Sequence, residues 1–383
     1  FFDKKVIMRN LLCCLVLGVL FTACHKDGPY KGGDKDLVVP LDFNWKTLER
    51  QDLKLNKPSS VYLVKNGEEL LIGDGLETGE YTFTTGIKGG ELKVKPSAMA
   101  YSIARAPGDE VPNGHRMIYY PGEGYWASMM VEDVFPWLGD LDMNDVVFNF
   151  RLGYETISDN NNGKEVKSLT IWIKPVAMGG AAYKQVGLAL NFVNKSMKHL
   201  AVNKVSGQVF MENEMFTLNK KGNEEGEEYI VPLIGNLYSC FGKEGGILNT
   251  ERNLLRFDAE EVVIKIEFSQ KPKLTEIQLE PDNAGNMMDL FVTFGTRGKE
   301  VHVKGRPATA KMDPELLHHS NNRNFSSPEN WVWALILDTP LKYPQESEAI
   351  YKAYPDFEKW VNGEAGFETQ DEWSFNYNSD LVY

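Results

Sequence analysis

Apolar residues in this chain recur at every second position, in one short stretch after another. That period admits little besides β-strands. In Val146-Val147-Phe148-Asn149-Phe150-Arg151-Leu152, residues Val146, Phe148, Phe150 and Leu152 fall on one face. Leu169-Thr170-Ile171-Trp172-Ile173-Lys174 and Val262-Val263-Ile264-Lys265-Ile266-Glu267-Phe268 alternate likewise. Val186, Leu188, Leu190 and Phe192 share one strand face, with Gly187, Ala189, Asn191 and Val193 on the other. Leu290-Phe291-Val292-Thr293-Phe294 follows, closed by a turn at residues 295–298. Many short strands with polar turns predict antiparallel sheets packed face to face. The expected fold class is mainly β, with two β-sandwich domains. The larger, C-terminal one has antiparallel, jelly-roll-like sheets and a short C-terminal helix.

The same period divides the chain of 383 residues. Val61-Tyr62-Leu63-Val64, then Lys65-Asn66-Gly67-Glu68, then Leu70-Leu71-Ile72 read as a hairpin, because Asn-Gly tolerates positive φ at the turn. Tyr81-Thr82-Phe83-Thr84 and Leu92-Lys93-Val94 flank a glycine turn at residues 86–90. Residues 37–112 are therefore expected to form a small N-terminal β-sandwich domain. The polar stretch 106–114, with Pro107 and Pro112, marks the boundary. The second domain spans residues 117–383, with a hairpin loop at 158–164. Ala353, Phe357, Trp360 and Val361 are spaced as on a helix over residues 350–361, with Pro355 opening its main turn.

At the N-terminus, Lys4, Lys5 and Arg9 precede an apolar run over residues 11–21. The run is too short for a permanent membrane span and has the form of a signal-peptide core. It ends Leu20-Phe21-Thr22-Ala23-Cys24, which resembles a bacterial lipobox, so residues 1–23 read as a lipoprotein signal peptide and Cys24 as the acylated residue. The chain begins with Phe1; a start at Met8 would leave residues 1–7 as an upstream extension. Residues 24–36 form a Gly-, Lys- and Asp-rich tether. Its Lys26-Asp27 resembles the surface-export signal of Bacteroidota lipoproteins. A cysteine carrying more than one acyl chain, palmitate included, anchors stably. The expected location is the outer membrane, on the cell surface, with the membrane as partner through the lipid. Cys13 and Cys14 leave with the signal and Cys24 carries lipid, so Cys240 is the one thiol that remains and reads as packed and inert at a strand end.

The densest chemistry lies at residues 131–150. Glu132, Asp133, Asp140, Asp142, Asn144 and Asp145 gather around a turn that leads into the strand at 146–152. Asp140, Asp142 and Asn144 alternate with Leu141 and Met143, so extended geometry would aim the three oxygens one way. Hard oxygen ligands at every second position suit Ca2+, which would also relieve repulsion among the carboxylates. The set is no EF-hand, because Asp145 stands where the loop needs Gly and Arg151 where it needs Glu. The competing expectation is that Asp140 and Asp145 cap turns while Glu132 stays solvated.

A formal net charge of −13 leaves no basic field for phosphates, so a nucleic-acid partner is excluded. No G-x-S-x-G, H-E-x-x-H or P-loop pattern occurs. His318-His319 is a weak transition-metal candidate. Glu276 with Glu280, or Glu358 with Glu364, are weak candidates for glycoside hydrolysis. The chain is therefore expected not to be an enzyme. Trp126, Trp137, Trp172, Trp331 and Trp333 could stack sugars if exposed, though core packing is the commoner role.

The acidic stretch resembles the signature of the LruC-type domain of bacterial outer-membrane lipoproteins. Tyr119-Tyr120-Pro121, Glu132-Asp133, Phe135-Pro136, Gly139-Asp140-Leu141-Asp142-Met143-Asn144-Asp145 and residues 146–150 carry the likeness, with Trp137 after the proline rather than before it. A second block matches the closing segment of that family: Phe294-Gly295-Thr296, Trp333-Ala334-Leu335, Tyr343-Pro344 and residues 348–360. The resemblance implies an exported β-domain with a calcium-binding turn. The expected role is a lipid-anchored surface module for adhesion or binding, taking a glycan or protein ligand. The alternatives are a carbohydrate-binding or carbohydrate-processing lipoprotein and a structural subunit of a surface assembly.

Overall fold

The computed structural model describes residues 37–96, 115–158, 164–180, 182–194, 200–211, 215–321 and 323–383. The signal segment, Cys24 and the tether (residues 1–36), the stretch 106–114 and most of the loop at 158–164 lie outside the described residues. The strands are β1 (Leu48–Leu55), β2 (Ser59–Lys65), β3 (Glu68–Leu76), β4 (Gly79–Gly86), β5 (Glu91–Pro96), β6 (His115–Tyr120), β7 (Ala127–Val131) and β8 (Val146–Ser158). They continue with β9 (Lys164–Ala177), β10 (Val186–Val193), β11 (Ala201–Ser206), β12 (Ile230–Ile234), β13 (Val262–Gln270), β14 (Met287–Phe294), β15 (Glu300–Val301) and β16 (Ala334–Leu337). Short helices are α1 (Pro314–His319), α2 (Ile350–Ala353), α3 (Phe357–Val361) and α4 (Gln370–Ser374). The chain is mainly β, as its period requires.

β8 is the spine. One edge pairs with β9 from Val147↔Ala177 to Ser158↔Lys164. The other edge is shared: β7 takes its first part, Val131↔Val146 to Ala127↔Phe150, and β6 the rest, Tyr120↔Leu152 to His115↔Ile157. A ten-stranded sheet results, in the order β11-β13-β9-β8-β6-β3-β2-β5, with β7 beside β8 and β16 beside β7. A four-stranded sheet, β12-β10-β14-β15, packs on it. Phe148, Phe150, Ile171, Ile173, Ile264 and Ile266 share one buried cluster with Leu188, Leu190, Phe192 and Val292 of the smaller sheet. Each such side chain contributes about 1.5–3 kcal/mol by leaving water.

The expected boundary between two domains requires correction. The described residues of the expected first domain, 37–96, do not close a sandwich of their own: β3 pairs with β6 at Gly73↔Ile118 and Asp74↔Met117, so β2, β3 and β5 extend the large sheet. Only β1 and β4 stand apart, as a two-stranded sheet. Residues 37–383 form one compact unit. The hairpin at Asn66-Gly67 forms as read, with φ of 52° and 83°.

A second apolar cluster lies on the opposite face of β7, β8 and β16. Met130, Val147, Leu335 and Leu337 point into it, while Met129, Val131, Val146, Phe148 and Ile336 point into the first. Strands covered on both faces lose their alternation, which is why all of β7 and β16 is buried. The chain's C-terminal segment supplies the cover: Tyr354, Phe357, Trp360 and Trp373 join Trp45 and Trp331 there. The helix expected over 350–361 is broken. α2 ends at Ala353, Pro355 interrupts the ladder, and α3 begins after Asp356. Cys240 is buried, but in a 3-10 turn (Leu237–Phe241) rather than a strand end.

Candidate metal centre

β7 ends at Val131 and β8 begins at Val146; the acidic residues occupy the loop between them. The backbone N–H of Glu132 donates to Trp333 O at 2.9 Å, continuing the β7–β16 pairing and sending the Glu132 side chain inward. The loop is not extended, contrary to the sequence expectation. Leu141 and Met143 adopt left-handed φ of 61° and 57°. That conformation costs about 1–2 kcal/mol at each β-carbon-bearing residue. Burial of both side chains in the second cluster offsets the cost. Ile350 N–H secures the curl by donating to Leu141 O at 2.7 Å.

The curl turns backbone N–H groups onto the carboxylates. Met143 N–H donates to Glu132 Oε1 at 2.6 Å, Asn144 N–H to Asp142 Oδ1 at 3.0 Å, and Asp133 N–H to Asp145 Oδ2 at 2.8 Å. Asp142 Oδ2 accepts from the N–H of Ser347 at 2.8 Å, and the Asn144 amide Nδ2 donates to Pro344 O at 3.0 Å. Oxygens of Glu132, Asp140 and Asp142 lie within 4.8 Å of one another. Glu132, Asp142 and Asn144 are at most 1% exposed, so the expectation of a solvated Glu132 is overturned. Asp133, Asp140 and Asp145 are half-buried at the rim.

Two oxygens are left over. Glu132 Oε2 and Asn144 Oδ1 are buried with no hydrogen-bond partner among the described residues. Leaving such a group unpaired costs about 1–3 kcal/mol, and more when it is charged. Both face glycines that make room for them. A Cβ at Gly139 would sit 2.5 Å from Glu132 Oε2. A Cβ at Gly179 would meet Asn144 Oδ1 and lie 2.9 Å from Glu346 Oε2. One at Gly180 would lie 2.7 Å from Asp133 Oδ2 and 3.4 Å from Asp145 Oδ1. The sequence reading missed Glu346, Gly179 and Gly180, which arrive from distant segments with no local acidic pattern.

Electrostatics report one crowded negative site. Burial, with Asp140 beside it, pushes the Glu132 carboxyl well above the usual carboxylate range. Burial and the Glu132 charge do the same to Asp142, and burial and Asp133 to Asp145. Burial raises Asp133 to about 6 and Glu346 to about 7. A divalent cation would remove both the repulsion and the unpaired oxygens, and the donors, all oxygen, are of the type Ca2+ takes. Glu132, Asp140 and Asp142 are the residues placed to hold it, with Asn144, Glu346, Asp133 and Asp145 around them.

The remaining candidates scatter. Trp172, Trp331 and Trp333 are buried, Trp126 is half-buried under the Arg151 guanidinium, and Trp137 is 60% exposed. His318 and His319 lie exposed on α1. Glu280 is paired with Arg306 and Lys46, each at 3.4 Å. His302, unremarkable in the sequence, is fully buried: Nδ1 meets Asp289 Oδ2 at 2.6 Å and Nε2 meets Glu300 Oε2 at 2.9 Å. Although burial opposes its charge, the two carboxylates raise it to about 9.

No curated protein matches the sequence. The fold is similar to the crystal structure of a protein from Bacteroides ovatus described as a "putative lipoprotein". The TM-score is 0.51 at 16% identity, over 88% of this chain and 93% of that one. At that identity the likeness speaks to the fold. Residues 164–373 match the family described as a domain of unknown function (DUF4842), a span that includes β9 to β16, Gly179, Gly180 and Glu346. The chain belongs to the DUF4842 family.

Proposed function

We propose that the chain is a lipid-anchored cell-surface protein of the outer membrane, whose β-sandwich serves as a non-catalytic adhesion or binding module stapled by Ca2+. The observation that carries the metal is the buried, unpartnered Glu132 Oε2, whose carboxylate groups with those of Asp140 and Asp142, together with a second unpartnered oxygen, Asn144 Oδ1, in the same loop. The cation joins the loop at 132–145 to the segment that starts the C-terminal cover, so its role is to hold two remote parts of the chain together.

The likeness to the LruC-type domain gains support from the same contact. The acidic signature and the closing segment are far apart in sequence, yet Ser347 N–H reaches Asp142 and Ile350 N–H reaches Leu141. Two blocks that touch have a physical reason to occur together. The lipid anchor rests on the lipobox at residues 20–24, and the description of the Bacteroides ovatus protein agrees with it.

Thermal melts of the full chain in millimolar Ca2+ and in EDTA test the metal. Ca2+ should raise Tm, by linkage to the folded state. Equal melting temperatures would remove the metal from the proposal. Palmitate labelling in cells, with Cys24→Ser as the control, tests the anchor; label that persists in the variant would refute it.

A further inference from the structure

An open groove of about 700 Å³ separates the β2–β3 turn from α4. Its walls include Asn66 at the β2–β3 turn, Lys88, Gly89 and Gly90 before β5, and Asp371 and Phe375 at α4. A recess of about 200 Å³ adjoins it across Lys65, lined by Tyr125, Trp126, Pro340 and Asp338. We infer that this groove and its recess form a binding site for a neutral oligosaccharide. The inference rests on the binding-module reading and is independent of the acidic corner.

Rigidity is the first support. Lys65 Nζ is held by Asp338 Oδ2 at 2.9 Å, Thr339 Oγ1 at 3.0 Å and Asp371 Oδ2 at 3.1 Å. Asn66 Nδ2 donates to the same Asp371 oxygen at 3.0 Å. α4 is fixed from beneath, because Trp373 is fully buried and stacked on Trp360 at 5.3 Å. Gly86 lets Asp338 approach the backbone where a Cβ would collide with its carboxylate. Polar groups locked before a ligand arrives lose little entropy on binding.

The lining selects the ligand class. The two lysines of the lining, Lys65 and Lys88, are outnumbered by Asp338, Asp371 and Glu372, and Lys88 pairs with Glu368 at 3.4 Å, so there is no surplus positive charge to draw a phosphate or sulfate. Asp338 and Asp371 are already met by Lys65 and Asn66, and Glu372 by the N–H of Thr369, which leaves little for a metal. Planar carboxylate and amide groups offer paired acceptors and donors, as vicinal hydroxyls require. At the two ends stand aromatic rings that the fold leaves in water, Phe375 at 87% exposed and Tyr125 at 40%. Such rings present a flat apolar face, which suits the C–H face of a pyranose. The groove volume falls in the range of small-ligand sites.

Native affinity electrophoresis of the full chain tests this, in gels containing laminarin, xylan, yeast mannan, dextran or heparin. At least one neutral polysaccharide should retard the wild type, equally in Ca2+ and in EDTA at a temperature where both forms are folded. Phe375→Ala and Tyr125→Ala should each weaken retardation tenfold or more with Tm unchanged, since both rings are exposed. Lack of retardation by every neutral polysaccharide, retardation by heparin alone, or full retardation of both variants would overturn the site. The Ca2+-dependent rise in Tm would be untouched by any of these outcomes.

Discussion

The backbone N–H of Ser347 donates to Asp142 Oδ2 at 2.8 Å although 205 positions separate the two residues. This contact makes the acidic loop a joint between the β7–β8 connection and the C-terminal cover. Asp142 also accepts from Asn144 N–H at 3.0 Å, so one carboxylate organises both sides. Asp142→Ala should strip two N–H groups of their acceptor and cost on the order of 2–4 kcal/mol. Denaturant melts in EDTA measure that loss without the metal. In Ca2+, Asp142→Asn should show little or none of the wild-type rise in Tm.

Gly179 is a second probe of the same joint, and its reason is steric. A methyl group there would meet Asn144 Oδ1 and lie 2.9 Å from Glu346 Oε2. Gly179→Ala should therefore weaken Ca2+ affinity at least tenfold, read by calorimetric titration. Gly246→Ala is the comparison: its added Cβ meets nothing within 4 Å, so only its positive φ of 97° resists. It should lower stability and leave affinity for Ca2+ intact.

The acidic corner also sets a pH dependence whose sign is fixed. Asp133 titrates at about 6 and Glu346 at about 7 in the folded chain, both above the ordinary carboxylate value because burial opposes their charge. Protons thus bind the folded state more tightly than the unfolded one. The associated stability is present at pH 4 and is lost as pH rises through 6 and 7. The protein in EDTA should melt lower at pH 7.5 than at pH 5.5. Because Ca2+ competes with those protons, its affinity should rise over the same interval, and titration at pH 6 should release protons.

His302 gives an independent alkaline limit. Held between Asp289 and Glu300, it titrates at about 9, so its contribution is present below pH 6.5 and lost as pH rises through 9. Histidine proton NMR should show one such resonance with a pKa near 9. His302→Leu would leave the buried Asp289 carboxylate without its cation, while Glu300 keeps Arg297, at a cost of about 3–5 kcal/mol.

Much of this architecture was legible because a half-buried strand repeats every two residues. β8, β9, β10, β13 and β14 announce themselves that way. The domain division was not legible, because β3 and β6 look like strands of any sheet; their pairing at Gly73↔Ile118 and Asp74↔Met117, which runs one sheet through both regions, has no local signal. The loop at 132–145 was identified by its acids, yet its curl was not, since left-handed Leu141 and Met143 are held there by tertiary burial that no local pattern encodes. Glu346 and Gly179 reach the centre through the fold alone. Pro355 was read as opening the main turn of one helix; it stands just before α3, but it also separates α3 from α2.

Calorimetric titration of chelator-stripped full chain with Ca2+ at pH 7.5 tests the central claim most directly. Saturable binding should appear in the wild type and be lost in Glu132→Gln and Asp142→Asn, the carboxylates buried deepest in the corner. Absence of binding by folded wild type, or undiminished binding by both variants, would contradict a calcium staple at this joint.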